Sequence, residues 1–468
     1  MQLPQAFIDK YTNLLGDEAP AFLASLDQDV EHGFRLNPLK AKYQDVALDL
    51  HHPVPFVQDA YYGTVSGKSL AHQAGYVYSQ DISAMYVAEV AAAQPGERVL
   101  DLCAAPGGKS TQLAAQLQNQ GLLVSNEINT KRARILAENM ERIGATNVIV
   151  LNEDPANMEQ YFPAYFDKIV VDAPCSGEGM FRKDHNAVTY WHEHYPAECA
   201  VRQKNILNSA LKMLRPGGQL VYSTCTFAPE EDEQIAAWLL ATYPELEMVA
   251  VPKVAGMTPG QPAFADNDSE MTKAVRMMPH HFQGEGQFVA KFQLAQTAPE
   301  LAPAPTPTTK KKKRRGKQTR GKSNSLSKEQ LALWEDFKQS FFMDRGGQKF
   351  STNNLRLNGS YLYYYDASWP DIDQMKYMRP GILLGEFKKH RFEPSYALAL
   401  AVQPAEIQAK LDLDESEWRQ YVGGNTVQYT GPSQPNGWYL LVCAGKPFAM
   451  GKLVNGVIKN FFPKGLRF

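Results

Sequence analysis

Cysteine is scarce in this 468-residue chain. There are five thiols, an odd number and widely spaced, which argues against a disulfide framework. A reducing, cytoplasmic setting is expected, in which any functional thiol stays available. Long apolar runs are absent too: none reaches the roughly eighteen residues that a membrane helix needs. The opening Met1-Gln2-Leu3-Pro4-Gln5 has no basic region leading into an apolar one, so no secretion leader is expected. No internal repeat appears. His192 and His194 flank Glu193 without a third spaced ligand, so no metal site is expected.

Net charge is also small, −2, but it is unevenly placed. The run from 310 to 322 holds nine basic residues and no acidic one, which leaves 39 basic against 50 acidic residues elsewhere. A phosphate-binding arm would look like this, and so would a solvated linker. The length suits about two to four domains. Residues 1–75 read as a small N-terminal domain of RNA-binding type, with short helices over 7–15 and 20–26 and an extended segment at Arg35-Leu36-Asn37-Pro38. Residues 297–325 are rich in Pro, Thr, Lys and Gly and read as a basic flexible linker. Residues 326–392, opening on a helix over 328–342, form a first C-terminal domain. Residues 393–468 are aromatic and turn-punctuated, and read as a small barrel or sheet.

Between them, 76–296 alternates strands and helices. Strands are expected at 98–102, 122–126, 148–151, 168–172 and 219–223, the last after a turn at Pro216-Gly217-Gly218, with helices over 109–117, 131–143 and 203–214. Right-handed crossovers then give a parallel sheet covered on both faces, with ligands beyond the carboxyl ends of its strands.

The first of these strands leads into Asp101-Leu102-Cys103-Ala104-Ala105-Pro106-Gly107-Gly108-Lys109-Ser110. Small residues there allow close backbone approach, and the following helix N-terminus offers N–H groups to a carboxylate such as that of a methionine moiety. Neither GxGxxG nor GxxxxGK[ST] is present, which weakens nucleotide readings. A tight strand–helix turn would share the pattern. Glu127 at the second strand end is placed for ribose hydroxyls, and Asp154 at the third for an adenine amino group. Either acid alone would read as a turn residue or helix cap. Three successive strands delivering a glycine loop and two acids to one edge favour a ligand site.

Cys175 follows Asp172-Ala173-Pro174 on the fourth strand end, and Cys225 follows Ser223-Thr224 on the fifth. Most cysteines are small buried hydrophobes, the reading given to Cys199 and Cys443, with Cys103 filling space in the loop. Two thiols and an acid at a ligand edge suit methylation at C5 of cytosine. C5 is a poor nucleophile until a thiolate adds to C6; a carboxyl near N3 stabilises the developing charge, and a base removes the C5 proton so that the thiol can leave.

Asp-Leu-Cys-Ala-Ala-Pro-Gly-Gly-Lys, Asp-Ala-Pro-Cys-Ser-Gly and Ser-Thr-Cys-Thr together resemble the Nop/Sun family of RNA cytosine-C5 methyltransferases over roughly residues 30–295. Glu178-Gly179-Met180-Phe181-Arg182-Lys183 and the tail from Gly437-Trp438-Tyr439 through Asn460 to Gly465-Leu466-Arg467 look more narrowly like the RsmF (YebU) branch of bacterial ribosomal RNA methyltransferases. The resemblance implies an α/β fold, with a Rossmann-like S-adenosyl-L-methionine-dependent domain, C-terminal α+β and PUA-like β domains, and no membrane segment. It implies cofactor contacts at Cys103, Ala104, Ala105, Pro106, Gly107, Gly108, Lys109, Glu127, Asp154 and Asp172. It makes Cys225 the nucleophile and Cys175 the thiol that assists product release, the reverse of the assignment in DNA cytosine methyltransferases. Arg182 and Lys183 become RNA contacts, with ordinary loop charge as the other reading. The expected substrate is a cytosine in small-subunit (16S) ribosomal RNA, and a monomer is favoured. Transfer RNA, a DNA substrate, and a non-catalytic role in ribosome assembly are the alternatives.

Overall fold

The computed structural model describes residues 3–183, 187–254, 256–301, 326–343 and 346–468. The basic run from 310 to 322, and most of the segment expected as a linker, lie outside the described residues.

The centre is a ten-stranded sheet. Along it lie Val148–Leu151, Leu122–Asn126, Arg98–Asp101, Phe166–Asp172 and Leu214–Thr224, mutually parallel, then Gln287–Leu294 antiparallel. Chain order reverses between Arg98–Asp101 and Phe166–Asp172, and a sheet of this kind opens its ligand crevice at such a reversal. The central strands are apolar on both sides because both faces are covered. Ile82–Ala91, Gly108–Leu117 and Thr130–Arg142 pack on one face; Tyr195–Met213 and Glu233–Thr242 pack on the other.

The expected elements are present, with two informative differences. The helix expected over 203–214 starts at Tyr195, eight residues early, because Pro196 and Glu198 suit a first helical turn. The turn expected at 216–218 is a bulge inside a longer strand: Phe166 faces Leu214 but Lys168 faces Gln219, and Gly217 has φ +76°.

N-terminal to the sheet, helices Gln5–Leu15 and Ala19–Ser25 precede a three-stranded antiparallel sheet of Ala60–Tyr62, His32–Leu36 and Val77–Asp81. C-terminally, helix Lys328–Phe341 packs on a four-stranded sheet, and a five-stranded sheet follows. In that last sheet Ala444-Gly445 and Asn455-Gly456 join successive strands, all four residues at positive φ, the geometry that matches strand twist in two-residue hairpins. Among the described residues no helix is long and apolar enough to cross a membrane.

The parts share contacts rather than standing apart. Asn37 Nδ2 donates to the carbonyls of Gly75 (2.7 Å) and Ile143 (2.8 Å), and Lys40 Nζ to that of Leu400 (2.6 Å). Gly75 has φ +73°, and a Cβ there would lie 1.8 Å from the Arg142 carbonyl oxygen. Gly75→Ala should therefore lower the denaturant midpoint by the equivalent of about 2 kcal/mol or more. Gly96→Ala, at φ +94° with nothing within 4 Å, should cost only about 1 kcal/mol of backbone strain. Equal losses would contradict the packing argument.

Candidate active site

Beyond the carboxyl ends of the parallel strands lies a cavity of about 520 Å³. Its floor is the loop after Arg98–Asp101, which runs into helix Gly108–Leu117 through Gly107 at φ +118°. No side chain caps that helix, so its first N–H groups remain available to an anion. The loop carbonyls are tied back from outside: Arg132 Nη2 donates to Ala105 (2.6 Å) and Asn139 Nδ2 to Pro106 (2.7 Å).

Cys103, Ala105, Glu127, Asp154, Asp172, Cys175 and Cys225 all line the cavity. Ala104, Pro106, Gly107, Gly108 and Lys109 do not line it. Gly108 faces Arg35 and Gln80, and Lys109 joins the site through Asp172. Glu127 accepts from Asn129 N (2.8 Å) and pairs with Arg132 (3.3 Å). Asp154 caps helix Pro155–Met158 by accepting from Ala156 N (2.9 Å) while also lining the cavity. Ile128, next to Glu127, is a large aliphatic residue left 62% exposed at the cavity wall. An isoleucine directly after the acid Glu127 was the signal available for it in the sequence.

At the other end Cys175 Sγ and Cys225 Sγ are 3.4 Å apart. Asp172 stands beside them, accepting from Lys109 Nζ (2.6 Å), Ser223 Oγ (2.7 Å) and Gln287 Nε2 (2.9 Å). Burial alone would lower the Lys109 pKa, but Asp172 and, more weakly, Cys225 raise it overall, so Lys109 is a firm cation here. The hydrogen bond to Cys225 and burial push the Cys175 thiol well up. Of the pair, Cys175 therefore keeps its proton. Burial also raises Cys103, which leaves it an inert thiol.

Two buried carboxylates hold the thiol loops. Glu178 accepts from the Tyr11 hydroxyl, Trp191 Nε1 (2.9 Å), Thr226 Oγ1 (2.9 Å) and Phe227 N (3.1 Å). Glu231 contacts Ser176 Oγ and accepts from Ser176 N (3.0 Å) and Gln203 Nε2 (2.8 Å). Ser176 Oγ lies 2.8 Å from Thr226 Oγ1. The chain Glu231–Ser176–Thr226–Glu178 has three contacts but only two hydroxyl protons, so one of the two carboxyls supplies the third, and burial favours Glu231 for it. Burial raises its pKa to about 8. Neither glutamate has a spacing signature, so sequence reasoning missed both.

Arg182 points inward. It donates to the carbonyls of Gln28 (3.3 Å), Asp29 (2.8 Å) and Gly284 (2.7 Å), joining the N-terminal domain to the catalytic one. Lys183 is exposed and pairs with Glu285 (3.0 Å). His192 and His194 are exposed. Among the described residues the side chains grouped closely enough to hold a metal ion are Glu18, His280 and His281, where both rings hydrogen-bond the carboxylate.

Residues 88–293 match the family described as 16S rRNA methyltransferase RsmB/F. Residues 3–82 match the N-terminal domain of 16S rRNA methyltransferase RsmF, 337–402 the RsmF rRNA methyltransferase first C-terminal domain, and 408–468 the methyltransferase RsmF PUA domain. Ribosomal RNA small subunit methyltransferase F of Shewanella loihica is 30% identical over 100% of this chain and 96% of its own length. The protein of the same name from Vibrio vulnificus is 31% identical over 99% and 97%. Among solved structures, a methyltransferase homologue protein from Pyrococcus horikoshii is 29% identical, with TM-score 0.54 over 62% of this chain and 95% of that one. NSun6 from Pyrococcus horikoshii with SFG, 21% identical and TM-score 0.54 over 62% and 98%, shares the fold.

Two buried acids shape the pH dependence. Burial raises Asp101 to about 7 and Glu231 to about 8. At these two groups folding takes up protons above the ordinary carboxyl range, so their contribution to stability falls as pH rises from about 4.5 to 8. In Glu231→Gln the fall in denaturation midpoint between pH 6 and pH 8 should be smaller than in the native chain. An unchanged fall would contradict the protonated assignment.

Proposed function

The chain belongs to the ribosomal RNA small subunit methyltransferase F family and is an S-adenosylmethionine-dependent rRNA methyltransferase, and from that premise we propose that it methylates C5 of a cytosine in 16S rRNA through a covalent adduct on Cys225. The observation that carries this reading is the pair of thiols 3.4 Å apart beside the Lys109–Asp172 ion pair.

S-adenosylmethionine, when bound, supplies an electrophilic methyl group. The cavity offers Leu102, Cys103 and Ala105 of the loop that leads into the uncapped helix Gly108–Leu117 on the side of the methionine moiety, Glu127 for the ribose, and Asp154 with Ile128 for the adenine. The target base is splayed from its stack to enter beside Cys225. Cys225 attacks as the thiolate, its sulfur 3.4 Å from that of Cys175 and near the Lys109 cation. Its sulfur adds to C6, and C5 becomes the nucleophilic carbon. Addition at C6 drives negative charge onto N3, which takes up a proton through the Asp172 carboxyl, itself held by Lys109, Ser223 and Gln287, and gives it back when the adduct collapses. After methylation the C5 proton leaves to a base, the C6–sulfur bond breaks and Cys225 is regenerated. Cys175 is placed to assist that release. The N-terminal and PUA domains hold the RNA, with Lys183 as an exposed contact and Arg182 as the brace between domains.

Cys225→Ala should lose methyl transfer by about a thousandfold or more and form no RNA adduct. Cys175→Ala should form the adduct and release it poorly, so that a protein–RNA band accumulates on a denaturing gel. The reverse pattern would exchange the two roles. Unaltered cytosine methylation of 16S rRNA in a strain lacking the chain, read by bisulfite sequencing, would refute the substrate.

A further inference from the structure

The outer edge of the catalytic sheet is not left open. Val148–Leu151, buried along its whole length, pairs antiparallel with Tyr377–Arg379 from the first C-terminal domain: Tyr377 faces Leu151 and Arg379 faces Val150. An open edge strand is a liability that proteins cover, but this cover reaches further than the edge. Ile372 and Met375 are buried in the same apolar core as the catalytic strands, and Arg379 is buried with Nη2 donating to the Ala145 carbonyl (2.7 Å).

The ladder continues into the cofactor cavity through two buried polar residues. Asn152 N donates to the Lys376 carbonyl (2.9 Å), and Lys376 N donates to Glu153 Oε1 (2.7 Å), a contact between residues 223 positions apart. Asn152 Nδ2 then donates to the carbonyls of Glu127 (2.7 Å) and Ile128 (2.9 Å). Glu153 exchanges hydrogen bonds with Asn126, N to Oδ1 and Nδ2 to carbonyl, both 3.0 Å. Its other carboxylate oxygen accepts from Asn157 Nδ2 (3.0 Å). Every main-chain segment that carries Glu127, Ile128 and Asp154 into the cavity is thus fastened to Asn152 or Glu153, and both are fastened to the main chain of Lys376.

We propose that the first C-terminal domain is a working part of the cofactor site: through Lys376, Glu153 and Asn152 it positions the corner that receives the adenosine end of S-adenosylmethionine. The proposal rests on the reading of Glu127 and Asp154 as that corner. Glu153 is a positioning residue, buried behind the wall rather than facing the ligand. Removing its carboxylate leaves the Lys376 N–H without its acceptor and frees the 152–154 turn. Docking of the first C-terminal domain then sets the affinity for the methyl donor.

The test uses the full-length chain, with S-adenosylmethionine and S-adenosylhomocysteine binding measured by calorimetry without RNA. Glu153→Ala should raise both Kd values about tenfold, the equivalent of one net hydrogen bond. It should raise KM for S-adenosylmethionine while kcat at saturating cofactor and KM for RNA hold. Glu153→Gln should restore tight binding, since its amide oxygen can accept from Lys376 N and its NH₂ can donate to Asn157 Oδ1. Lys376→Pro removes the same hydrogen bond from the exposed side of the interface. It should weaken binding as Glu153→Ala does, with the double variant no worse than either alone. If Glu153→Ala fails to fold, Lys376→Pro decides the matter. Native affinity in folded Lys376→Pro and Glu153→Ala, with weakened binding in Asp154→Ala, would overturn the proposal and spare the cofactor corner. Native affinity in Asp154→Ala and Glu127→Ala as well would overturn both.

Discussion

Two thiols must meet at the end of a parallel pair of strands, and much of the site exists to make that possible. Asp172 and Ser223 are neighbours in register, yet each chain turns away after its strand, and loops leaving a sheet have no reason to converge. Convergence is imposed by hydrogen bonds from side chains that sit behind the thiols. Ser176 and Thr226, each next to its cysteine, touch at 2.8 Å. Glu231 grips the first loop and Glu178 the second. A buried carboxyl group without partners is costly, so each of these has several hydrogen-bond partners. One of the Glu178 donors, Tyr11, comes from the N-terminal helix. The two sulfurs are thereby fixed by residues that sit behind them.

The same economy governs the other end of the cavity. Strand termini deliver Glu127 and Asp154, but their side chains are partly occupied: one pairs with Arg132 and the other caps a helix. Their placement depends on the backbone beneath them, which is held by Asn126, Asn152 and Glu153. Catalytic and C-terminal parts share a sheet and an apolar core at this edge.

How much of this was legible in the sequence follows from contact range. Strand, turn and helix over 98–117, and the strand ends at Asp172 and Ser223, are local patterns of apolar alternation and small residues, and the structure places them as expected. Gly107 and the hairpin glycines are likewise written in local backbone demands. Glu178, Glu231 and Glu153 were opaque, because a carboxylate becomes structural only when distant donors converge on it. Arg182 shows the same limit from the other side. A basic loop residue suggested RNA, and nothing local signalled that its guanidinium also serves three carbonyls brought from residues 28, 29 and 284. Tyr377–Arg379 carries no sign that its partner strand lies more than two hundred residues upstream.

The central claim is that the sulfur which attacks the base is Cys225, with its neighbour kept as a thiol. The most direct measurement uses 16S rRNA carrying 5-fluorocytosine, from which no C5 proton can be removed, so that the adduct cannot collapse. Digestion and mass spectrometry then locate the nucleotide on the protein. The account predicts the mass on the peptide that contains Cys225 and none on the peptide that contains Cys175. Label on Cys175, or its absence from both despite methyl transfer to ordinary RNA, would contradict it.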